Sequence, residues 1–232
     1  MKKISIFLMA LLLSTAAFAQ SETSIKLKAP NQSRPATLMK AFANRHSERE
    51  FTEKNLSTQD LSDLLWAAFG INRPDGKRTA ASAMNAQDVE IYAFMDKGIY
   101  LYNAKDNLLT LVKEGDHRSA FAMGPRPGGP APANAPAAAP KAAPAAQTTP
   151  AMILVLVSDL SKFGQIGDDA LHLQWGCIDV GLVSQNISLF CSSNGMATRP
   201  RAGMDKDAIG KLLNLPTTKV VILNQPVSYV KK

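Results

Sequence analysis

The chain has 232 residues, a formal net charge of +7 at pH 7, three histidines and two cysteines. Two cysteines exclude a disulfide-rich scaffold, and no cysteine and histidine cluster has zinc-binding spacing, so no metal site is expected. The positive charge is spread thinly and few aromatic residues accompany it. We therefore expect no nucleic-acid binding, whereas an anionic small ligand is compatible with the charge.

The first 19 residues are typical of a cleavable secretory signal peptide. Lys2 and Lys3 form a positive start, Ile4–Leu13 form an apolar run, and Ala17–Ala19 form a small-x-small cleavage site. The run is shorter than the roughly 20 residues needed to span a bilayer. We predict export to the periplasm or the extracellular space, without stable membrane insertion.

Two helices are predicted in the first part of the mature chain. Ser33 can cap a helix over Pro35–Asn44. The second helix begins after Ser57, which has Asp60 three residues later as in a capping box. Leucines follow at helical spacing, and Gly70 is suited to end the helix.

Strands follow, and then the composition changes. Val89–Met95 and Ile99–Tyr102 are predicted to form a hairpin, and Leu108–Val112 a third strand. The stretch 124–150 contains ten alanines, eight prolines and three glycines in 27 residues. This composition cannot bury a core, so we predict a disordered or polyproline-like insert.

The second part of the chain contains the longest helical pattern. Met152–Val157 is apolar and β-branched enough for a buried strand. Asp168–Asn194 predicts a helix that is apolar most of the way round and therefore buried on several sides. A short helix capped by Asp205 and reaching Leu213 is expected next, followed by a strand over Val220–Leu223.

Both cysteines fall in the long predicted helix. Cys177 and Cys191 are 14 residues apart, which is roughly 21 Å along a helix. Because a disulfide needs Cα atoms within about 7 Å, the two cannot pair in one chain. We interpret both as buried thiols without a reactive role.

Neither part of the chain has enough elements to cover its own apolar surfaces. We therefore predict one α+β domain over residues 35–232, preceded by an N-terminal extension at 20–34 and interrupted by the insert at 124–150. A long insert in a surface loop adds little to the cost of loop closure.

The sequence contains none of the common motifs of hydrolases, metalloenzymes or nucleotide-binding enzymes. Three polar segments remain. Arg45, Ser47 and Arg49 can hold a phosphate, because guanidinium groups and a hydroxyl match its oxygens. The segments Ser82–Gln87 and Arg199–Gly203 carry amide, hydroxyl and guanidinium groups. Taken singly, all three are equally compatible with surface ion pairs and turn residues.

Taken in order, these segments resemble the nitroreductase family. The matching stretches are R-H-S-E-R-E-F from Arg45, L-S-T-Q-D-L-S-D-L-L-W-A-A-F-G-I-N-R from Leu56, K-R-T-A-A-S-A-M-N-A-Q-D-V-E-I-Y from Lys77, and D-V-G-L-V-S-Q-N-I-S-L-F-C-S-S-N-G-M-A-T from Asp179. The resemblance covers about residues 35–123 and 151–232. It is nearest to a short exported branch similar to the azoline dehydrogenases of the SagB/ThcOx type.

This resemblance implies an α+β fold with a central, mainly antiparallel sheet flanked by helices, in an intertwined homodimer that binds FMN at the subunit interface. By this resemblance, the segment from Arg45 contacts the FMN phosphate and ribityl chain. The segment from Ser82 lies along the flavin, and the turn after the long helix places backbone amides near the flavin atoms N5 and O4. Such amides favour a developing negative charge. The implied residues are, in chain order, Arg45, His46, Ser47, Arg49, Ser82, Met84, Asn85, Gln87, Pro200, Arg201, Ala202, Gly203 and, completing the phosphate site, Lys231.

The sequence departs from the family pattern at three places. Ala81 stands where a proline usually precedes the serine, Ser228 replaces a common glycine, and the insert lies where a helix often flanks the active site. The insert leaves the shape of the substrate pocket open, and with it the identity of the small-molecule substrate.

The resemblance therefore predicts an FMN-dependent oxidoreductase in which the flavin performs the redox chemistry and no catalytic side chain is required. Two alternatives remain open: a non-catalytic flavin- or ligand-binding protein, and an exported protein whose Ala/Pro-rich segment is the functional part. Because nicotinamide cofactors are scarce outside the cytoplasm, NAD(P)H as the electron donor is also left open.

Overall fold

Seven strands form one antiparallel sheet in the described part of the chain, residues 23–121 and 148–231 of a computed structural model. The strands lie in the order β1-β4-β3-β2-β5-β7-β6. Their bounds are β1 Ser24–Lys26, β2 Val89–Phe94, β3 Gly98–Asn103, β4 Leu108–Glu114, β5 Met152–Asp159, β6 Met196–Thr198 and β7 Lys219–Tyr229. The predicted signal peptide and most of the Ala/Pro-rich insert lie outside the described residues.

Four helices flank the sheet in the same described residues, and their bounds are α1 Leu38–Asn44, α2 Thr58–Phe69, α3 Asp169–Ser193 and α4 Lys206–Leu212. Three begin where the sequence predicts, with the side chains of Ser57, Asp168 and Asp205 accepting hydrogen bonds from their first turns. The prediction for α1 was wrong by three residues. Thr37, not Ser33, accepts the capping hydrogen bond, from the Lys40 amide.

The middle of the sheet is buried on both faces. All eight residues of β5 are buried. One face packs against α2 and α3 through Leu64, Leu65 and Val183, and the other packs against α4 through Ile209. The α+β class and the antiparallel sheet flanked by helices are thus confirmed.

Two short edge strands were missing from the sequence prediction. β1 comes from the segment interpreted as an N-terminal extension, and it pairs with β4. β6 follows α3 directly and pairs with the second half of β7, which is seven residues longer than predicted. Three-residue strands have too little hydrophobic alternation to be recognised before their partners are known.

Arg34 anchors the N-terminal segment to α2. Its guanidinium donates to Asp60 and Asp63, at 2.6 Å each, and to Asn194 at 3.0 Å. Asp63 is almost fully buried, so Arg34 neutralises a charge that would otherwise be costly inside the fold. This cluster ties α2 to the end of α3.

The long helix α3 is buried on one side only within this chain. Val180, Val183 and Ile187 are inaccessible, as the apolar pattern predicts. Ile178 and Leu182 are 53% and 42% exposed. The expectation that both cysteines are buried was wrong, because Cys177 lies on this exposed side while Cys191 is buried; both are free. None of the described helices is long and apolar enough to cross a membrane.

Gly176 lets α3 approach β5 closely. A methyl group placed on it would meet the Ser158 hydroxyl and lie 2.9 Å from Ser158 Cβ and 3.2 Å from Leu160 Cδ2. Ser158 belongs to the interior strand β5 and is fully buried, so it has little room to move. Glycine at this position is required by packing rather than by backbone conformation.

Replacing Gly176 with alanine should therefore destabilise the fold by about 1–3 kcal/mol, because the added methyl group must push α3 away from β5. Gly210→Ala in α4 is the matched control: nothing lies within 4 Å of its added methyl group. That control should gain roughly 0.5–1 kcal/mol from helix propensity. Urea unfolding measures both, and equal stabilities would contradict the close approach.

Candidate functional site

The first predicted segment runs in extended form from the end of α1. The Glu48 amide donates to the Thr198 carbonyl at 3.1 Å, which holds the segment against β6. Arg45, Ser47 and Arg49 are exposed. The segment thus presents two guanidinium groups and one hydroxyl at the surface.

His46 is occupied within this segment. Its Nδ1 lies 2.7 Å from the Asn44 carbonyl and its Nε2 lies 2.5 Å from Glu48 Oε1. The hydrogen bond to Asn44 and the charge of Glu48 raise the pKa of His46 above its usual value. In this arrangement the side chain binds its own segment, so any ligand contact of His46 would come from its backbone.

A cavity of about 340 Å³ joins this segment to the C-terminal end of the chain. It is lined by Ser47, Glu48, Arg49, Glu50, Val230 and Lys231. Lys231 Nζ lies 3.4 Å from Glu50 Oε2 and His46 contacts Glu48, so both carboxylates already have side-chain partners within the chain. The structure thus brings together Ser47, Arg49 and Lys231, three residues that the sequence assigns to one anion site.

The second segment is a tight loop before β2. Ser82 Oγ accepts the Gln87 amide hydrogen at 2.8 Å, and Met84, Asn85 and Gln87 have φ angles of 55°, 54° and 50°. Left-handed conformations of non-glycine residues cost free energy and occur preferentially at functional sites. Met84 and Asn85 are exposed at the tip of this loop.

The Gln87 side chain points into the chain's own hydrogen-bond network. Its Oε1 accepts from Arg78 Nε at 2.8 Å and its Nε2 donates to the Gly76 carbonyl at 3.2 Å. Burial lowers the pKa of Arg78, which also stacks on Phe69. In this conformation Gln87 supports the loop, and Met84 and Asn85 are the residues that it presents.

The third segment is the turn Pro200–Gly203, which Asn224 of β7 clamps. Asn224 is fully buried and exchanges two backbone hydrogen bonds with Arg201, at 2.8 and 2.9 Å. Its side chain accepts from Arg201 Nε at 2.7 Å and donates to the Arg201 carbonyl at 3.2 Å. Pro200, Ala202 and Gly203 are left exposed. The sequence pattern did not single out Asn224, although an asparagine inside an apolar strand is a recognisable signal.

Arg201 itself is a poorly compensated cation. Burial, followed by the charge of Arg199, lowers its pKa to about 10. Its Nη2 atom is buried and has no hydrogen-bond partner among the described residues. Such an orphaned donor is unusual in a folded protein and is consistent with an electronegative ligand atom nearby.

Sheet register places the three segments in order along β7 and β5. Thr198 pairs with Val227, which lies opposite Met152, and Asn224 lies opposite Val155. The Ser82–Gln87 loop adjoins the far end of β5, at Ser158. The segments therefore extend over seven residues of β5, from Met152 to Ser158, which is roughly 20 Å. An elongated ligand could contact all three, whereas a compact one could not.

A buried carboxyl pair underlies the second segment, and the sequence analysis missed it. Asp88 and Asp179 are 0% and 2% exposed. Asp179 lies among apolar residues of α3. A carboxyl group within an apolar helix is the feature of the sequence that could have indicated this pair. Within residues 23–121 and 148–231, no group of three or more His, Cys, Asp and Glu residues could hold a metal ion.

The match to a protein-family model is extensive. The model of the nitroreductase family matches residues 42–229. The chain belongs to the nitroreductase family. This match spans all three predicted segments but does not reach Lys231. A comparison with curated protein sequences gives no match.

Solved structures resemble this member of the nitroreductase family in fold. A protein of Ralstonia eutropha JMP134 assigned as a nitroreductase is 24% identical, with a TM-score of 0.78 and 92% of each chain covered. The E. coli microcin synthetase complex McbBCD with truncated pro-MccB17 bound gives 19% identity and a TM-score of 0.61, covering 98% of this chain and 85% of the other. The Vibrio harveyi NADPH:FMN oxidoreductase complexed with NAD+ gives 18% identity and a TM-score of 0.54, covering 84% of this chain and 69% of the other. At these identities the likeness concerns the fold.

The Asn224 clamp yields a prediction on stability. Asn224→Ala leaves Arg201 Nε and the Arg201 carbonyl without their side-chain partner, which should cost about 1–3 kcal/mol. Asn55→Ala is the control, because Asn55 is exposed and bonds only Asp96; it should stay within about 0.5 kcal/mol of the parent. Urea unfolding compares them, and equal losses would refute the clamp.

Proposed function

We propose that the protein is an exported, homodimeric FMN-dependent oxidoreductase that acts on a small-molecule substrate. The observation that carries this proposal is the family match over residues 42–229, combined with the cavity at which Ser47, Arg49 and Lys231 meet. Flavin-dependent oxidoreduction is the activity class of nitroreductase-fold relatives, and the Vibrio harveyi relative is named for FMN.

The residues present are chemically suited to FMN. Arg45, Arg49 and Lys231 would hold the phosphate, since guanidinium and ammonium groups bind phosphate oxygens strongly, and Ser47 would add a hydroxyl donor. When bound, the flavin supplies the redox chemistry. The chain's own part is to bind and orient it, and no side-chain acid or base is needed for that.

The other two segments would contact the remainder of the flavin. The turn Pro200–Gly203 is exposed and held by Asn224, so its backbone is preorganised rather than mobile. Asn85 at the tip of the second loop offers an amide that can both donate and accept hydrogen bonds. The separation of roughly 20 Å along the strands suits an elongated cofactor better than a small anion.

Exposed apolar side chains on two neighbouring helices support the homodimer. Leu38, Met39 and Phe42 of α1 are 61%, 76% and 51% exposed, and Ile178 and Leu182 of α3 are also exposed. Exposed apolar residues grouped in this way are typical of an interface. Because α1 leads directly into Arg45–Arg49, burial of α1 against a second copy would also order the phosphate-binding segment.

Export leaves the electron donor as the open part of this function. The signal peptide predicts a location where nicotinamide cofactors are scarce, whereas the Vibrio harveyi relative is named for NADPH and was solved with NAD+. We therefore propose the flavin chemistry without assigning NAD(P)H as the donor. Assays should include NADH, NADPH and an artificial low-potential donor.

The FMN site is tested by reconstituting the mature protein with FMN and measuring the dissociation constant by absorbance and fluorescence. Arg45→Ala and Arg49→Ala should each weaken binding about 10- to 100-fold, because each removes a charged contact to phosphate. Lys113→Ala, an exposed cation on β4, is the matched control and should leave the affinity unchanged.

Unchanged affinity in the Arg45/Arg49 double variant would refute the phosphate site. A protein that cannot be reconstituted with FMN would refute the proposed cofactor. Bound flavin that dithionite reduces, but that no donor and acceptor pair turns over, would support a non-catalytic flavin-binding protein instead.

The dimer is tested separately by light scattering. Ile178→Arg places a charge at the centre of the exposed face of α3, so it should convert a dimer into a monomer and lower FMN affinity. Val112→Arg is the control, since Val112 is 40% exposed on β4, away from these helices. A parent protein that is monomeric with an intact fold would refute the homodimer.

A further inference from the structure

Asp88 and Asp179 form a buried carboxyl pair directly beneath the Ser82–Gln87 loop. Asp88 precedes β2, and Asp179 projects from the buried side of α3. The two carboxyl groups bind the adjacent loop residues Ser82 and Ala83, which places them next to each other beneath the loop. Neither carboxyl group has a cationic partner in the described part of the chain. Two unpaired carboxylates at this depth would repel each other strongly.

Both carboxyl groups hold the backbone or side chains of the loop. Asp179 Oδ2 accepts the Ala83 amide hydrogen at 2.8 Å. Asp88 Oδ1 lies 3.3 Å from the Ser82 hydroxyl, and its Oδ2 accepts from the Ser158 hydroxyl at 2.5 Å. The pair therefore connects the loop to β5 and to α3, and Gly176 one turn earlier permits that close approach.

The charged groups around the pair do not neutralise it. Lys162 donates to the Gln87 carbonyl and Arg78 donates to the Gln87 side chain, and neither cation forms a salt bridge with Asp88 or Asp179 within the described residues. The Asp159 carboxylate accepts from Ser161. Burial, together with Asp179, raises the pKa of Asp88 to about 7. The remaining way to relieve repulsion is a proton held between the two carboxyl groups.

We propose that Asp88 and Asp179 share one proton, and that this shared proton positions the Ser82–Gln87 loop for flavin binding. With the proton present, one carboxyl group donates to the other and the Ala83 and Ser82 contacts persist. When it is lost, two buried carboxylates separate and the strained loop is released. The contacts of Asp88 and Asp179 with the loop support the positioning of the loop. The effect of the loop on flavin binding rests on the proposed function.

The direction of the pH dependence follows from this arrangement. The folded state binds the proton more tightly than the unfolded chain, whose aspartates titrate near pH 4. The stabilisation is therefore present in acid and is lost as the pH rises through about 7. The order of the Ser82–Gln87 loop and the affinity for FMN should therefore both decrease as the pH rises.

The experiment measures the loop in the FMN-free protein and FMN affinity in parallel, between about pH 6 and pH 9. Hydrogen exchange of a peptide covering residues 81–88, normalised to its intrinsic rate at each pH, reports the loop. In the parent protein, protection should fall and the FMN dissociation constant should rise about tenfold across this range.

Asp88→Asn and Asp179→Asn each replace the shared proton with an amide N–H that does not titrate. In both variants, loop protection should become independent of pH. FMN affinity should keep only the pH dependence that comes from the FMN phosphate and from His46, which the parent and all variants share. Asp75→Asn, at an exposed turn, is the control and should keep the parent profile. If one variant fails to fold, the other variant and the pH series of the parent protein still test the shared proton.

Parent loop protection that does not change with pH would overturn the shared proton, and so would asparagine variants that keep the parent profile. If the loop titrates as expected but FMN does not bind, the proposed cofactor is wrong while the shared proton stands. If FMN binds with an affinity unrelated to loop protection, the positioning role is wrong while the proposed function stands.

Discussion

The packing of α3 across β5 is the constraint on which the other features depend. β5 is an interior strand of the sheet and is buried along its whole length, so it offers α3 a rigid surface. Gly176 has no side chain that would meet Ser158 of β5. Because α3 lies so close, Asp179 reaches Asp88, and the loop that precedes β2 is connected to the core rather than left to the solvent.

β7 organises the other side of the site. Asn224 clamps the turn Pro200–Gly203, and Ser228 accepts the Thr52 amide hydrogen, which fixes the chain just after Arg45–Arg49. The serine that departs from the family pattern therefore has a role in holding the first segment. Three segments distant in sequence are thus attached to two adjacent strands, while their exposed faces are left free for a ligand.

The accuracy of the sequence analysis varied with the length of each pattern. The bounds of α2 and α3 were predicted closely, because repeated apolar spacing and capping residues agreed over three or more turns. α1 is shorter, and Ser33 and Thr37 are both residue types that cap helices, so the local pattern did not distinguish between them. The side-chain roles of His46 and Gln87 could not be predicted, since their partners Glu48 and Arg78 become decisive only when distances are known.

The sequence by itself determined the family, the α+β class and the three polar segments, because these are local patterns that survive without coordinates. Only the tertiary structure decided how those segments are arranged. It brought Lys231 to Ser47 and Arg49, left one face of α3 uncovered, and buried Asp88 against Asp179. Each of these outcomes depends on contacts between residues far apart in the chain, and periodicity and capping signals carry no information about such distances.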